Sequence, residues 1–268
     1  MSQPANVSQP AVFITGAAAG IGRAIAARFA EAGWTVGLYD IDADAVRHTA
    51  EEIGGATVTG AFDVTDPAGW EQALNEFTDA TGRLDLLVNN AGILYSGAFG
   101  DISLERQHRL VDVNVKGVLN GCYTALPHLR RTPGSQVVNL ASASAFYGQP
   151  GLATYGATKA AVRNLTEALD LEWRQYGIPV HDLLPLFVAT GMMDEVSRGS
   201  KSAATLGVHL TPDDIAEALW RTATHQHRLR GPHVLIGLQT KLTGIAVRLG
   251  PAWVTRAVVG WLSKADSL

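Results

Sequence analysis

The 268-residue chain holds a single cysteine, Cys122, so it can form no internal disulfide and suits a reducing compartment. That cysteine lies in the apolar run GVLNGCYTALPHL and reads as a small buried side chain rather than a nucleophile. No uninterrupted apolar run approaches the roughly 20 residues that a membrane span requires. The opening MSQPANVSQP lacks the basic start and apolar centre of a secretion signal, so residues 1–10 read as a short disordered tail. These absences lead us to expect a soluble cytoplasmic protein. Basic residues are not in excess either: 21 Lys and Arg stand against 25 Asp and Glu, and the net charge of -4 argues against nucleic acid as the main partner. No GxSxG surrounds any serine of interest, which excludes the nucleophile elbow of the serine hydrolases. His225 and His227, in ATHQHRLRG, have no further ligands at suitable spacing, so no metal site is expected.

What is present is a core and a regular alternation. Hydrophobic residues make up 47% of the chain and charged residues 17%, enough apolar material for one large domain. AVFITG, TVGLYD, LDLLVNN, SQVVNLAS, IPVHDLLP and HVLIG read as strands that are apolar throughout. Between them lie helical patterns such as GRAIAARFAEAG, AGWEQALNEFTDATG and AVRNLTEALDLEWRQYG. Apolar strands alternating with amphipathic helices predict an α/β, doubly wound fold: one parallel sheet of about seven strands, covered on both faces. Residues 11–240 form the expected domain.

Two segments break the regularity. Residues 191–210 are small, polar and weakly patterned, and read either as a lid over a site beyond the strand ends or as a plain surface loop. In residues 241–268, Leu242, Ile245, Ala246 and Leu249 keep helical spacing, as do Val254, Ala257, Val258, Trp261 and Leu262, with Gly250-Pro251 between the two runs. The charges Lys241, Arg248, Arg256 and Lys264 are all basic, so this extension could lie on a membrane surface or pack on the body or on another subunit.

The first strand runs into Thr15-Gly16-Ala17-Ala18-Ala19-Gly20-Ile21-Gly22 and then a helix. Glycines there let the backbone turn sharply and approach a pyrophosphate, whose charge is met by helix N-terminal amides. The context of strand, glycine-rich turn and helix separates this match from a chance one. No Gly-Lys-Ser/Thr follows, so it is not a nucleoside-triphosphate loop. Asp40 ends the second strand, where a carboxylate can accept from both hydroxyls of an adenosine ribose and repel a 2′-phosphate. That favours NAD over NADP. Arg23 and Arg47 are the candidates for a phosphate contact, and Asp40 could instead cap the following helix.

TGAAAGIG at 15–22, Asn89-Asn90-Ala91-Gly92 after the fourth strand, Asn114, and Ser142 with Tyr155-xxx-Lys159 together resemble the short-chain dehydrogenase/reductase family, in its short single-domain type. The resemblance spans about residues 10–240. It implies an oxidoreductase interconverting a secondary alcohol and a ketone, with Ser142, Tyr155, Lys159 and Asn114 as the catalytic set. Tyr155 and Lys159 lie one helical turn apart and share a face. A free tyrosine has a pKa near 10; a neighbouring ammonium and a cationic nicotinamide favour its phenolate. By resemblance, Lys159 also holds the nicotinamide ribose and Asn114 supports a water leading to solvent. The implied cofactor residues are Gly16, Ala19, Gly20, Ile21, Gly22, Asp40, Asp63, Val64, Asn90, Ala91, Gly92, Tyr155, Lys159, Pro185, Val188 and Thr190. Leu186 departs from the family pattern by standing where a glycine is usual, and with Phe187 it is expected to build an apolar substrate pocket that also draws on Leu94, Ser144 and Tyr147. The expected partners are a small, apolar alcohol or ketone and further copies of the chain, as dimer or tetramer, with helices 103–129 and 154–175 as the interface. The alternatives are an NADP-dependent carbonyl reductase and a dinucleotide-binding sensor without turnover.

Overall fold

A computed structural model of the chain describes residues 9–191, 210–224 and 231–249, with 251, 253, 256, 259 and 260. Among these residues, β1 (Ala11–Thr15), β2 (Thr35–Asp40), β3 (Thr57–Ala61), β4 (Leu86–Asn89), β5 (Gln136–Leu140), β6 (Val180–Leu184) and β7 (His233–Leu235) form one sheet. Their order is β3-β2-β1-β4-β5-β6-β7, and every pair is parallel. The doubly wound sheet expected from the sequence is thus what the chain builds. Winding reverses between β1 and β4, and the carboxyl ends of these two strands border a crevice.

Both faces of the sheet are covered, which is why its inner strands carry no polar alternation. Along β1, Ala11 and Phe13 join a layer with Tyr39, Trp70 and Phe77, while Val12 and Ile14 join Ile25, Phe29, Leu38 and Ile215 on the other side. Phe13 stacks on Tyr39 with centroids 4.0 Å apart. Each fully buried side chain of this size stabilises the fold by about 1.5–3 kcal/mol. The edge strand β3 is only partly covered, and its TVTGA lacks the apolar run that betrays the other six.

Local chemistry sets the helix ends. For α2 (Ala43–Ile53), the Asp42 carboxylate accepts from the amides of Asp44 and Ala45 at 3.1 and 3.0 Å. For α3 (Pro67–Thr81), Asp66 caps the start and Gly82, at φ 73°, ends it. In α1 (Gly20–Glu31), by contrast, Ala19 stands at the cap position without a side-chain hydrogen bond, and the first turn holds no acid. The leading amides of α1 therefore remain free to meet an anion. Next come α4 (Leu104–Val111), a π-helical turn (Asp112–Lys116) and α5 (Gly117–Leu129), followed by α6 (Ala153–Trp173), α7 (Pro212–Thr224) and α8 (Leu238–Leu249).

Two buried polar links tie strands together. The Asn89 amide donates to Asn139 Oδ1 at 2.9 Å, and Asn139 donates to Thr166 Oγ1 at 2.9 Å. Cys122 lies beside them, buried, its thiol pushed up to about 12 by desolvation. Between β6 and β7, His233 Nδ1 sits 3.0 and 2.9 Å from the two oxygens of Asp182, whose side chain is fully buried, and its Nε2 is 3.3 Å from Glu167. Burial holds the Asp182 carboxyl above its usual range; burial alone would lower His233, but the Asp182 carboxylate outweighs it and raises the imidazole. His233→Gln is expected to destabilise the protein by about 3 kcal/mol, because it deprives a buried carboxylate of its partner. A group raised on folding contributes fully below its unfolded pKa near 6.5 and loses that contribution as pH climbs through the raised value. Thermal melts at pH 6 and pH 9 should therefore show a larger Tm gap from the parent at pH 6.

Most of the segment expected as a lid (192–209), the pair His225 and His227, and many side chains of the 241–264 extension lie outside the described residues. Of that extension, Leu242 and Trp253 are exposed, whereas Gly244 of α8 lies so close to Leu235 and Phe146 that an added Cβ would stand 2.8 and 3.6 Å from them. Among the described residues, no helix is long and apolar enough to cross a membrane.

Candidate active site

The glycine-rich turn is a place where backbones meet. Gly16 has φ 66°, and a Cβ on it would stand 2.8 Å from Asn90 Nδ2 and 2.9 Å from Ala91 Cα. A Cβ on Gly22 would overlap the Gly16 carbonyl. Asn90 ties this turn to β4 by donating its amide to the carbonyls of Thr15 and Gly16 at 2.9 and 3.0 Å. The result is an open cradle above the uncapped start of α1.

Asp40 stands at the rim of this cradle. Its Oδ2 accepts from the Ala18 amide at 3.1 Å and its Oδ1 from the Ile41 amide at 2.7 Å. It does not cap α2, because Asp42 does. The two arginines that might have met a phosphate are engaged elsewhere: Arg23 pairs with Glu52 at 2.7 Å, and Arg47 pairs with Asp44. Asp63 accepts from the amide and hydroxyl of Thr65 at 2.9 and 2.8 Å and pairs with Arg109 at 2.8 Å. Burial would raise its carboxyl, yet these donors hold it below the usual carboxylate range.

The catalytic candidates converge from three elements. Ser142 follows β5 in an extended conformation, and its Oγ accepts from the Ser144 amide at 3.2 Å. The first turns of α6 carry Tyr155 and Lys159, which line the same cavity as Ser142. Lys159 Nζ donates to the Leu140 carbonyl at 2.7 Å and lies 5.7 Å from the centre of the Tyr155 ring. Asn114 occupies the π-helical turn, where one extra residue per turn presents its amide inward. It accepts from the Ile93 amide at 2.8 Å and donates to the Ile93 carbonyl at 2.9 Å and to Thr158 Oγ1 at 3.2 Å.

Electrostatics in the protein alone run opposite to the simplest expectation. Burial pushes the Tyr155 phenol up to about 12, with the Ser142 hydrogen bond working the other way. Burial also brings the Lys159 ammonium down to about 8. Desolvation is the largest cause of the shift in each group. Burial thus favours the uncharged form of each group.

One cavity of about 430 Å³ joins these parts. It is lined by Gly16, Ala19, Gly20, Ile21, Asp40, Asp63, Val64, Asn90, Ala91 and Gly92 on one side. Ser142, Ser144, Tyr155, Lys159, Pro185, Leu186, Phe187, Val188, Thr190 and Leu94 line the other. Gly22 and Asn114 stand behind the lining, the first supporting the turn and the second fixed to Ile93. Tyr147, expected in the substrate pocket, is partly buried with its phenol raised by desolvation, and it is not among the described residues that line the cavity. Leu186, the departure from the expected glycine, packs with Phe187, Leu94, Leu152 and Tyr155 in a small apolar cluster. Sequence reasoning missed Leu152, Gln149 and Arg109, all of which line the cavity. The residues of QPGL at 149–152 sit in a turn before α6, where nothing in the spacing marks a side chain as inward.

A family model described as short chain dehydrogenase matches residues 10–201. Sulfoacetaldehyde reductase 2 of Chromohalobacter salexigens is 35% identical over 80% of this chain and 88% of its own length. Meso-2,3-butanediol dehydrogenase of Serratia marcescens is 35% identical over 78% of this chain and 84% of its own. Among solved structures, 3-ketoacyl-(acyl-carrier-protein) reductase from Brucella melitensis, complexed with NADH, superposes with TM-score 0.79 at 31% identity, covering 86% of this chain and 97% of that one. ElxO with NADP bound superposes with TM-score 0.76 at 26% identity, covering 85% and 96%.

Proposed function

The chain belongs to the short chain dehydrogenase family of oxidoreductases, and from that premise we propose that it interconverts a secondary alcohol and a ketone using NAD, with Tyr155 as general acid and base. The observation that carries this reading is the meeting of Ser142, Tyr155 and Lys159 in one cavity with the glycine-rich turn and Asp40. The donor set fits a dinucleotide: uncapped amides at the start of α1 for phosphate, and a carboxylate at the rim for the ribose hydroxyls. When bound, the nicotinamide accepts or supplies the hydride.

The remaining work falls to the chain. Ser142 holds the substrate oxygen, and Tyr155 takes the proton of the alcohol or returns it to the ketone. Lys159, anchored on the Leu140 carbonyl, steadies the phenolate and holds the nicotinamide ribose. Asn114 keeps the neighbouring backbone in place through Ile93. Leu94, Leu152, Leu186 and Phe187 give the substrate an apolar wall and exclude water beside the reacting atoms.

Asp40 favours NAD, and the ion-paired state of Arg23 and Arg47 supports that preference. A paired fluorescence titration is expected to give at least tenfold tighter binding of NADH than of NADPH. Tighter NADPH would favour the second reading, an NADP-dependent carbonyl reductase; ElxO, with NADP bound, is a precedent for that dinucleotide on this fold. Exposed Leu119 and Tyr123 on α5 and Leu171 on α6 support self-association through these helices, and the closeness of α8 to Phe146 supports packing of the extension on the body.

A further inference from the structure

The substrate side of the cavity is apolar except for two side chains to which the proton-transfer chemistry assigns no task. Ser144 and Gln149 are 6% and 5% exposed, and both line the cavity beside Tyr155. Ser144 Oγ and Gln149 Nε2 are buried and make no hydrogen bond to any described residue. Asn89, Arg163 and Thr240 also hold such an atom, but none of those three lines the cavity. Folding does not leave a buried donor unpaired without a penalty, and a ligand oxygen at this place would remove it.

The backbone that carries each of the two groups is fixed. The Ser144 amide donates to Ser142 Oγ at 3.2 Å, and Gly156 of α6 packs so tightly that an added Cβ would stand 3.2 Å from the Ser144 carbonyl. The turn holding Gln149 is closed by the Leu152 amide, which donates to the Gln149 carbonyl at 3.1 Å. The fold therefore carries two unpaired donors, one a hydroxyl and one a carboxamide, on residues that line the same cavity as Ser142 and Tyr155. Both suit a neutral oxygen, and neither has the charge that a carboxylate or phosphate would call for.

We propose that Ser144 and Gln149 form a second oxygen site that selects substrates carrying a hydroxyl or carbonyl on the carbon next to the reacting one, that is, vicinal diols and α-hydroxyketones. A site built to hydrogen-bond an oxygen discriminates strongly against the analogue lacking it, because the buried donors then stay unpaired. The wall of Leu94, Leu152 and Phe187 takes the hydrocarbon part of the same molecule. Turnover of such substrates rests on the dehydrogenase reading above, whereas their binding does not.

The test compares 2-hydroxycyclohexanone with cyclohexanone. Binding is measured by saturation-transfer NMR on Tyr155→Phe protein saturated with NADH, where turnover is expected to be slowed on the order of 10³-fold. The hydroxyketone is expected to bind at least tenfold tighter. Adding Ser144→Ala or Gln149→Met to that background should bring the ratio of the two affinities close to one. Equal binding of the two ketones, no binding of the hydroxyketone, or an advantage that survives both substitutions overturns the proposal. NADH-dependent reduction by the parent separates the two readings. A binding advantage without Tyr155-dependent reduction of either ketone would sink the dehydrogenase reading alone. Equal, Tyr155-dependent reduction of both would sink the second oxygen site alone.

Discussion

Tyr155→Phe is expected to lower kcat by on the order of 10³-fold while NADH binds within about threefold of the parent, since a positioned acid-base group contributes roughly 10²–10⁴-fold. The substitution removes one oxygen and keeps the ring that packs with Leu94, Leu152 and Phe187. Folding and the apolar wall are therefore preserved, and a loss confined to kcat would isolate proton transfer. The pH dependence should differ by direction. Burial holds the free phenol at about 12, so the proton-donating form is present throughout the neutral range and ketone reduction needs no adjustment. Alcohol oxidation needs the phenolate, which depends on positive charge nearby. Lys159 keeps that charge only below about 8, so oxidation gains from alkali through the phenol and loses support as the ammonium is titrated. Stopped-flow hydride transfer in both directions, for parent and variant, checks the split. A variant retaining a tenth or more of parent kcat would exclude Tyr155 as the acid-base group.

Gly22→Ala should abolish useful cofactor binding, raising the Kd for NADH by about 100-fold or more. The added methyl would overlap the Gly16 carbonyl and lie 2.6 Å from Asn90 Nδ2. The first obstacle is backbone, so no rotamer change relieves it. Gly16, at φ 66°, cannot easily move aside, because its own Cα faces Ala91 and Asn90. Overpacking of this kind destabilises by about 1–3 kcal/mol in addition to opening the cradle. Gly100→Ala, where nothing lies within 4 Å of the added carbon, is the control and should bind NADH like the parent. Fluorescence titration with a parallel thermal melt distinguishes loss of the cradle from loss of the fold.

The parts legible in the sequence share a physical basis. Buried parallel strands announce themselves because both faces need apolar residues, and β1, β2, β4, β5 and β6 do so. β3 escapes because an edge strand with one covered flank needs no such run, and TVTGA resembles a loop as much as a strand. Gly16 and Gly22 were legible because their constraint is local: strand, turn and helix are contiguous. Ser142 and Lys159 reach the cavity from different elements, and only the family's spacing joined them in advance. Gln149 and Arg109 stayed hidden for the complementary reason. What aims them inward is tertiary: the turn before α6 in one case, and the approach of α4 to Asp63 in the other. The π-helical turn around Asn114 was equally invisible, since a single inserted residue leaves no mark on helical periodicity.

Asp40 holds a consequence for how such a protein can change its currency of reducing equivalents. On the NAD reading proposed above, the carboxylate that would meet the ribose also accepts from the Ala18 amide, so one side chain would both choose the dinucleotide and brace the turn that carries its phosphates. A lineage or an engineer seeking to admit a 2′-phosphate cannot simply delete the negative charge there. Deletion would relax the turn and weaken both dinucleotides together, moving the protein through a stage that binds neither well. The accessible route keeps an uncharged acceptor at that position while a cation is recruited nearby, by releasing Arg23 from Glu52 or Arg47 from Asp44. On that reading, coenzyme choice rests on Asp40, Arg23 and Arg47 together, and it resists drift one substitution at a time.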